Sequence, residues 1–150
     1  MIPSDDPSIC AEKYILEMNE FEFRLSFTIE SLKTNVDLII DKYRNNSTTK
    51  INPYHLPKYG ALTAYVGETL RRVYQGAWAG EFYCNRPDIN YYTSKIIFNN
   101  YTFWPSHHIG NALANGRDTS GYGYQTFSEY LEKRVIPQIT DKTNLRKASE

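Results

Sequence analysis

The sequence predicts an α+β fold, a small antiparallel sheet packed on helices, and three observations predict it. Apolar residues recur at steps of three and four from Ile15 to Tyr43, the period of a helix. A second helical stripe, interleaved with glycine and alanine, runs from Tyr59 to Val73. Three short aromatic-rich runs follow, separated by Gly, Asn and Pro turn signals. The expected order is two helices, three strands and two helices in a single domain over 1–150, with flexible ends at 1–7 and 140–150.

The first element is expected as one long helix over about 8–44. Asp6 can cap it and Pro7 suits its first turn. Its stripe is Ile15, Met18, Phe21, Leu25, Ile29, Leu32, Val36, Ile39 and Tyr43, and its length admits a break near Ser26–Thr28. A polar loop, Asn45 to Lys50, precedes Asn52-Pro53, which opens the central helix running to about Tyr74. That helix carries Tyr59, Leu62, Val66, Leu70 and Val73 on one face and Gly60, Ala64 and Gly67 on another. Glycines inside a helix cost about 1 kcal/mol each against alanine, so close approach of a second element should compensate. Strands are expected over Ala77–Tyr83, Tyr91–Ile97 and Tyr101–Trp104, with Asn85–Asp88 as a loop and Asn99-Asn100 as a turn. Pro105 opens a helix that Asn115-Gly116 closes. Thr126-Phe-Ser-Glu129 reads as a capping box for the last helix, which runs toward Pro137.

Composition narrows the function classes. The net charge is zero, which argues against sequence-independent nucleic-acid binding, a task that needs basic excess. The charge is uneven: the first 40 residues carry −5 and the remainder +5. An acidic first helix, with Glu12, Glu20 and Glu30, could meet a basic partner. No run is apolar and long enough for a membrane span, and the N-terminus lacks the charge and apolar run of a signal peptide. The expected setting is therefore cytoplasmic, with Cys10 and Cys84 as reduced thiols. Aromatic content is high, with 13 tyrosines, and Ser120-Gly-Tyr-Gly-Tyr124 has the make-up of a binding loop, with Tyr122 and Tyr124 as contacts.

The motifs of catalysis are missing. No HExxH, CxxC pair or acidic calcium loop is present, and His107 and His108, being adjacent, diverge from any regular element. Neither a metal nor a cofactor is expected. Cys84 with His107 or His108 is the one drawable nucleophile pair, and a small buried thiol is the simpler reading of Cys84. Glu68 is the one interior carboxylate candidate, though helical angles place it away from the Leu62/Val66/Val73 stripe; it can pair with Arg71 or Arg72 at i+3 and i+4, expected as a surface or interface ion pair. Gly121-Tyr-Gly123 lacks the spacing of a phosphate cradle.

One stretch carries a resemblance. Tyr59-Gly-Ala-Leu-Thr-Ala-Tyr-Val-Gly-Glu-Thr-Leu-Arg-Arg72, followed by Gly76-Ala-Trp78, resembles the GAYxGE…W segment of small bacterial domains found among proteins proposed as immunity partners of polymorphic toxins. The resemblance covers about 56–116, leaving out the first 45 residues and the Tyr122/Tyr124 loop. It implies a helix followed by a hairpin and a proline-led helix, and it brings no catalytic motif. The expected function is an immunity-type protein that binds a cognate toxin or effector domain and occludes its active site. Two alternatives stand beside it: a general interaction or scaffold module, homodimeric through its first helix, and a cysteine-dependent enzyme.

Overall fold

The computed structural model describes residues 4–20, 23–116 and 126–141. Its elements are α1 (Pro7–Asn19), α2 (Ile29–Tyr43), a 3₁₀ turn (Pro53–His55), α3 (Tyr59–Tyr74), β1 (Ala77–Ala79), α4 (Pro87–Thr93), β2 (Lys95–Ile97), β3 (Thr102–Phe103), α5 (Pro105–Asn115), α6 (Phe127–Tyr130) and α7 (Ile136–Ile139). The class is α+β as expected: helices are combined with a three-stranded antiparallel sheet in the order β1-β2-β3.

The long first helix is two helices, and the polar residues of the stretch between them say why. Asn19 ends α1 by bonding Leu25 on both backbone groups, its Oδ1 accepting from Leu25 N at 2.7 Å. Thr28 then caps α2, its Oγ1 accepting from Ser31 N at 3.1 Å. Tyr65 of α3 holds this corner: its hydroxyl donates to Ser26 O at 3.1 Å and accepts from Ser31 Oγ at 2.6 Å. Packing explains the break. A helix over 8–44 would be roughly 55 Å long at 1.5 Å per residue, more than twice the length of α3. Folding it in two lets Tyr14 and Met18 of α1 and Leu32, Val36 and Ile39 of α2 join one core with α3. Tyr14 and Tyr43 tie the halves by a 2.7 Å hydroxyl–hydroxyl bond.

Helix α3 is central. Every residue from Tyr59 to Leu70 is buried. Its glycines meet other elements, as their spacing suggested. A Cβ on Gly60 would lie 2.0 Å from the carbonyl oxygen of Cys84, and one on Gly67 would lie 2.5 Å from the Trp78 ring. The segment before α1, expected as a free end, is fastened from Ser4 onward: Asp5 N donates to Phe82 O at 2.7 Å and Phe82 N to Ser4 Oγ at 3.0 Å.

Two strands are shorter than expected, and one is partly a helix. The chain leaves β1 at Gly80, whose φ of +79° and contact with Thr93 O admit no side chain. Residues 87–93, expected as loop and strand, form α4. Pro87 presets its first turn and Asp88 sits there favourably, outweighing the strand preference of Tyr91 and Tyr92. Pairing puts Trp78 opposite Ile96 and Ile96 opposite Phe103, a row that faces α3. Thr126 caps α6 as expected, accepting from Glu129 N. A wide π turn over Leu131–Val135 then precedes Pro137, which has no N–H to continue the ladder.

Candidate functional site

Two side-chain assemblies stand out. The first is built from the motif itself. Glu68 lies on the sheet side of α3 with 0% of its surface exposed, so of the two settings expected for its ion pair the interface one holds. Arg71 grips it twice, Nε to Oε1 and Nη2 to Oε2, both at 2.7 Å. Arg72 Nε donates to Oε2 at 2.6 Å and Trp78 Nε1 to Oε1 at 2.9 Å. Each oxygen therefore accepts two bonds. Burial alone would raise this carboxyl, but the bonds from Arg71, Arg72 and Trp78 prevail and hold it down at about 2. Arg72 reaches on to Glu12 and Ser8 of α1 and lies over the Phe27 ring, 3.8 Å from its centroid. The cluster locks α3 to β1 and α1. A carboxylate with all its bonding positions filled has no room to move a proton, so the motif is a joint of the fold.

The second assembly faces solvent. Tyr91 and Tyr92 meet edge to face at 5.1 Å on α4. Tyr91 stacks on His107 of α5 at 4.0 Å, and His107 stacks on Trp104 at 5.5 Å. Lys95 lies over Trp104 at 5.1 Å. Tyr54, on the 3₁₀ turn, stacks on Tyr59 at 5.9 Å and stands in the field of Tyr92, Tyr91 and Asp88; burial first, then these neighbours, raises its hydroxyl. Tyr92 is 76% exposed and Tyr54 43%, while Tyr91, Trp104 and His107 are half-buried.

The ridge is held from beneath. The buried Asn90 of α4 accepts from Tyr83 N and donates to Tyr83 O, both at 2.7 Å. His107 Nε2 bonds the Tyr91 carbonyl, which only accepts, so this nitrogen carries the proton. Tyr59 donates to Ser106 O at 2.6 Å, and Gly110 leaves the space its hydroxyl fills. The adjacent His108 points inward onto Phe103 and receives Tyr130 at Nδ1, 3.0 Å away. Burial, with His107 beside it, lowers His108 to about 4, so it is neutral at pH 7.

The residues singled out in the sequence fare differently. Glu12 is exposed on α1 and engaged with Arg72 at 3.0 Å. Glu20 is exposed just beyond α1, and Glu30 is exposed in the first turn of α2. Glu12 and Glu20 thus belong to α1 and its C-cap, and Glu30 to α2. Tyr122 and Tyr124 lie outside the described residues. The expectation of reduced thiols is overturned: Cys10 and Cys84 form a disulfide, their Cα atoms 6.2 Å apart. α1 brings Cys10 to the loop that Gly60 lets approach α3, which 74 residues of separation concealed. A bonded sulfur is not a thiolate nucleophile, and His107 and His108 are engaged with aromatic rings, so the cysteine–histidine pair is not assembled. Among the described residues no group of three or more His, Cys, Asp or Glu could hold a metal ion.

Sequence reasoning missed Tyr54, Tyr91, Tyr92 and Trp104 as a group. The available signal was the Tyr91-Tyr92 pair after Pro87-Asp88, which as a helix presents both rings from one short element. No protein family, curated protein or solved structure matches the chain. The resemblance of 56–116 therefore rests on its own residues. No helix among the described residues is long and apolar enough to cross a membrane.

Proposed function

We propose that the chain is a binding protein of the immunity type, which neutralises a cognate bacterial toxin or effector domain by covering its active site. The aromatic ridge carries this reading. Tyrosine and tryptophan dominate the energetic centres of protein interfaces because they offer large apolar faces with a polar tip and few rotatable bonds. Here Tyr54, Tyr91, Tyr92 and Trp104 are gathered on one face, and rings stack one on another rather than moving independently. Tyr92 is the centre of the proposed contact, since its ring has the most surface left to bury. The disulfide favours action in an oxidising compartment over the cytoplasm expected from the sequence, and the toxin would then be met there.

The test is a photo-crosslinking amino acid placed at Tyr92 and, separately, at Glu30 in the native cells. The expected result is one stoichiometric protein crosslinked from position 92, with a toxic activity that the purified chain inhibits. A crosslinked protein that shows no such activity, or crosslinks from position 30 alone, would overturn the reading. The second of these would return the contact to the acidic helices.

A further inference from the structure

We propose that the Cys10–Cys84 disulfide governs the aromatic ridge, so that partner binding requires the oxidised chain; this rests on the reading of that ridge as the binding face. Residues 81–86 have no helix or strand of their own, and neighbours hold them. On one side those neighbours are the residues before α1. Cys84 N donates to Asp5 Oδ2 at 2.9 Å, and Phe82 is bonded to Ser4 and Asp5. The disulfide fixes the start of α1, which follows that segment, against the loop. On the other side, Tyr83 is clamped by both polar atoms of the buried Asn90, and the next two residues along α4 are Tyr91 and Tyr92. Helix α4 has seven residues, too few to hold shape or direction alone. Its N-terminal end is therefore set by loop 81–86, while His107 of α5 holds Tyr91 from the other side, and the loop's own position rests on the disulfide together with Ser4 and Asp5. Gly60 shows how close that seat is, since the Cys84 carbonyl occupies the place of a side chain there.

Reduction undoes the seat by ordinary thiol chemistry. A dithiol gives two electrons and two protons to the bond, leaves Cys10 and Cys84 as thiols, and becomes a cyclic disulfide itself. The 74-residue span between the cysteines is then no longer closed at its ends, and the loop gains freedom that the bond had removed. The core of α1, Tyr14 and Met18, stays packed, so the change is local to the loop and α4.

Hydrogen–deuterium exchange on the full chain, with and without dithiothreitol, tests this without a partner. We expect amides of 82–94 to exchange at least tenfold faster in the reduced chain, with those of α2 and α5 within twofold. Exchange at 82–94 unchanged within twofold would overturn the proposal, as would acceleration spread evenly into α2. The Cys10→Ser, Cys84→Ser double variant should reproduce the reduced pattern and ignore dithiothreitol; a response to dithiothreitol in that variant would also overturn it. Rapid alkylation in the native cells should find both cysteines protected, and finding both alkylated would refute a requirement for the oxidised chain. The crosslinking at Tyr92 decides the binding face separately, so the two failures can be told apart.

Discussion

The Glu68 joint and the aromatic ridge are both clusters of polar and aromatic side chains on the same helical scaffold, yet they are built on opposite terms. In the joint every bonding position is used. Four bonds converge on one buried carboxylate from Arg71, Arg72 and Trp78, and Gly67 is open to let Trp78 arrive. On the ridge the supports lie below, at Asn90 and Ser106, and the outer surfaces of Tyr92 and Tyr54 are exposed. A buried polar group left without partners is costly, so a satisfied one is committed to the fold. An exposed ring forgoes the gain of burial, and that gain is available to a partner. The contrast teaches that the most motif-like stretch of a chain can be its structural joint, while the surface proposed to meet a partner lies beside it.

The largest effect should come from cutting the joint. Glu68→Ala removes the acceptor of the Arg71 guanidinium, of Arg72 Nε and of the Trp78 indole N–H, and loss of one partner of a buried pair typically costs about 3–5 kcal/mol. Urea denaturation should show that loss, whereas Tyr92→Ala should stay within about 0.5 kcal/mol of the wild type, as exposed positions do. Equal losses in the two variants would break the comparison. Next in size is Gly67→Ala. Its Cβ would fall 2.5 Å from Trp78, and overpacking of this kind costs about 1–3 kcal/mol. A neutral outcome would mean that Trp78 has freedom to shift and that the joint is looser than its bonds suggest.

The ridge answers to affinity instead. With the crosslinked partner purified, Tyr92→Ala and Trp104→Ala should each weaken binding by about 2 kcal/mol, roughly 30-fold, the scale of an interface hot spot. Calorimetry that finds both within twofold of wild type would remove the ridge from the interface.

How much of this could be read in advance follows from what sets each feature. The α+β class, the central helix and the capping residues Asp6 and Thr126 are local properties, so they were legible. So was the crowding at Gly60 and Gly67, because a glycine inside a helix needs a reason. The break between α1 and α2 was legible only as an option, since the apolar stripe continues through it and the stop depends on how short α3 is. The helix over 87–93 was hidden by tyrosines whose local preference is for strands, and tertiary contact through Asn90 overrode that preference. The partners of Glu68 were legible but its burial was not, because i+3 and i+4 spacing reveals partners but not depth. The disulfide and the ridge join residues separated in the chain, Cys10 with Cys84 and Tyr91 with His107, and no local pattern announces such meetings.

Acid is the gentlest way to separate the two regions, and the sign of each step is fixed. His108 is lowered in the folded chain to about 4 from an ordinary value near 6.5. Its contribution is therefore complete above about pH 6.5 and is lost as pH falls through 4, because the unfolded chain binds that proton first. Glu68 is lowered to about 2, so its contribution is complete above its ordinary value near 4.5 and is lost as pH falls toward 2. Two stages should appear in urea midpoints measured from pH 7 to pH 2.5. His108→Phe should flatten the upper one, and Glu68→Gln the lower. Tyr92→Ala should leave both slopes alone, because its ring carries no charge in this range. If Tyr92→Ala altered the lower stage, the ridge and the joint would be energetically one structure, and the division drawn between them would fail.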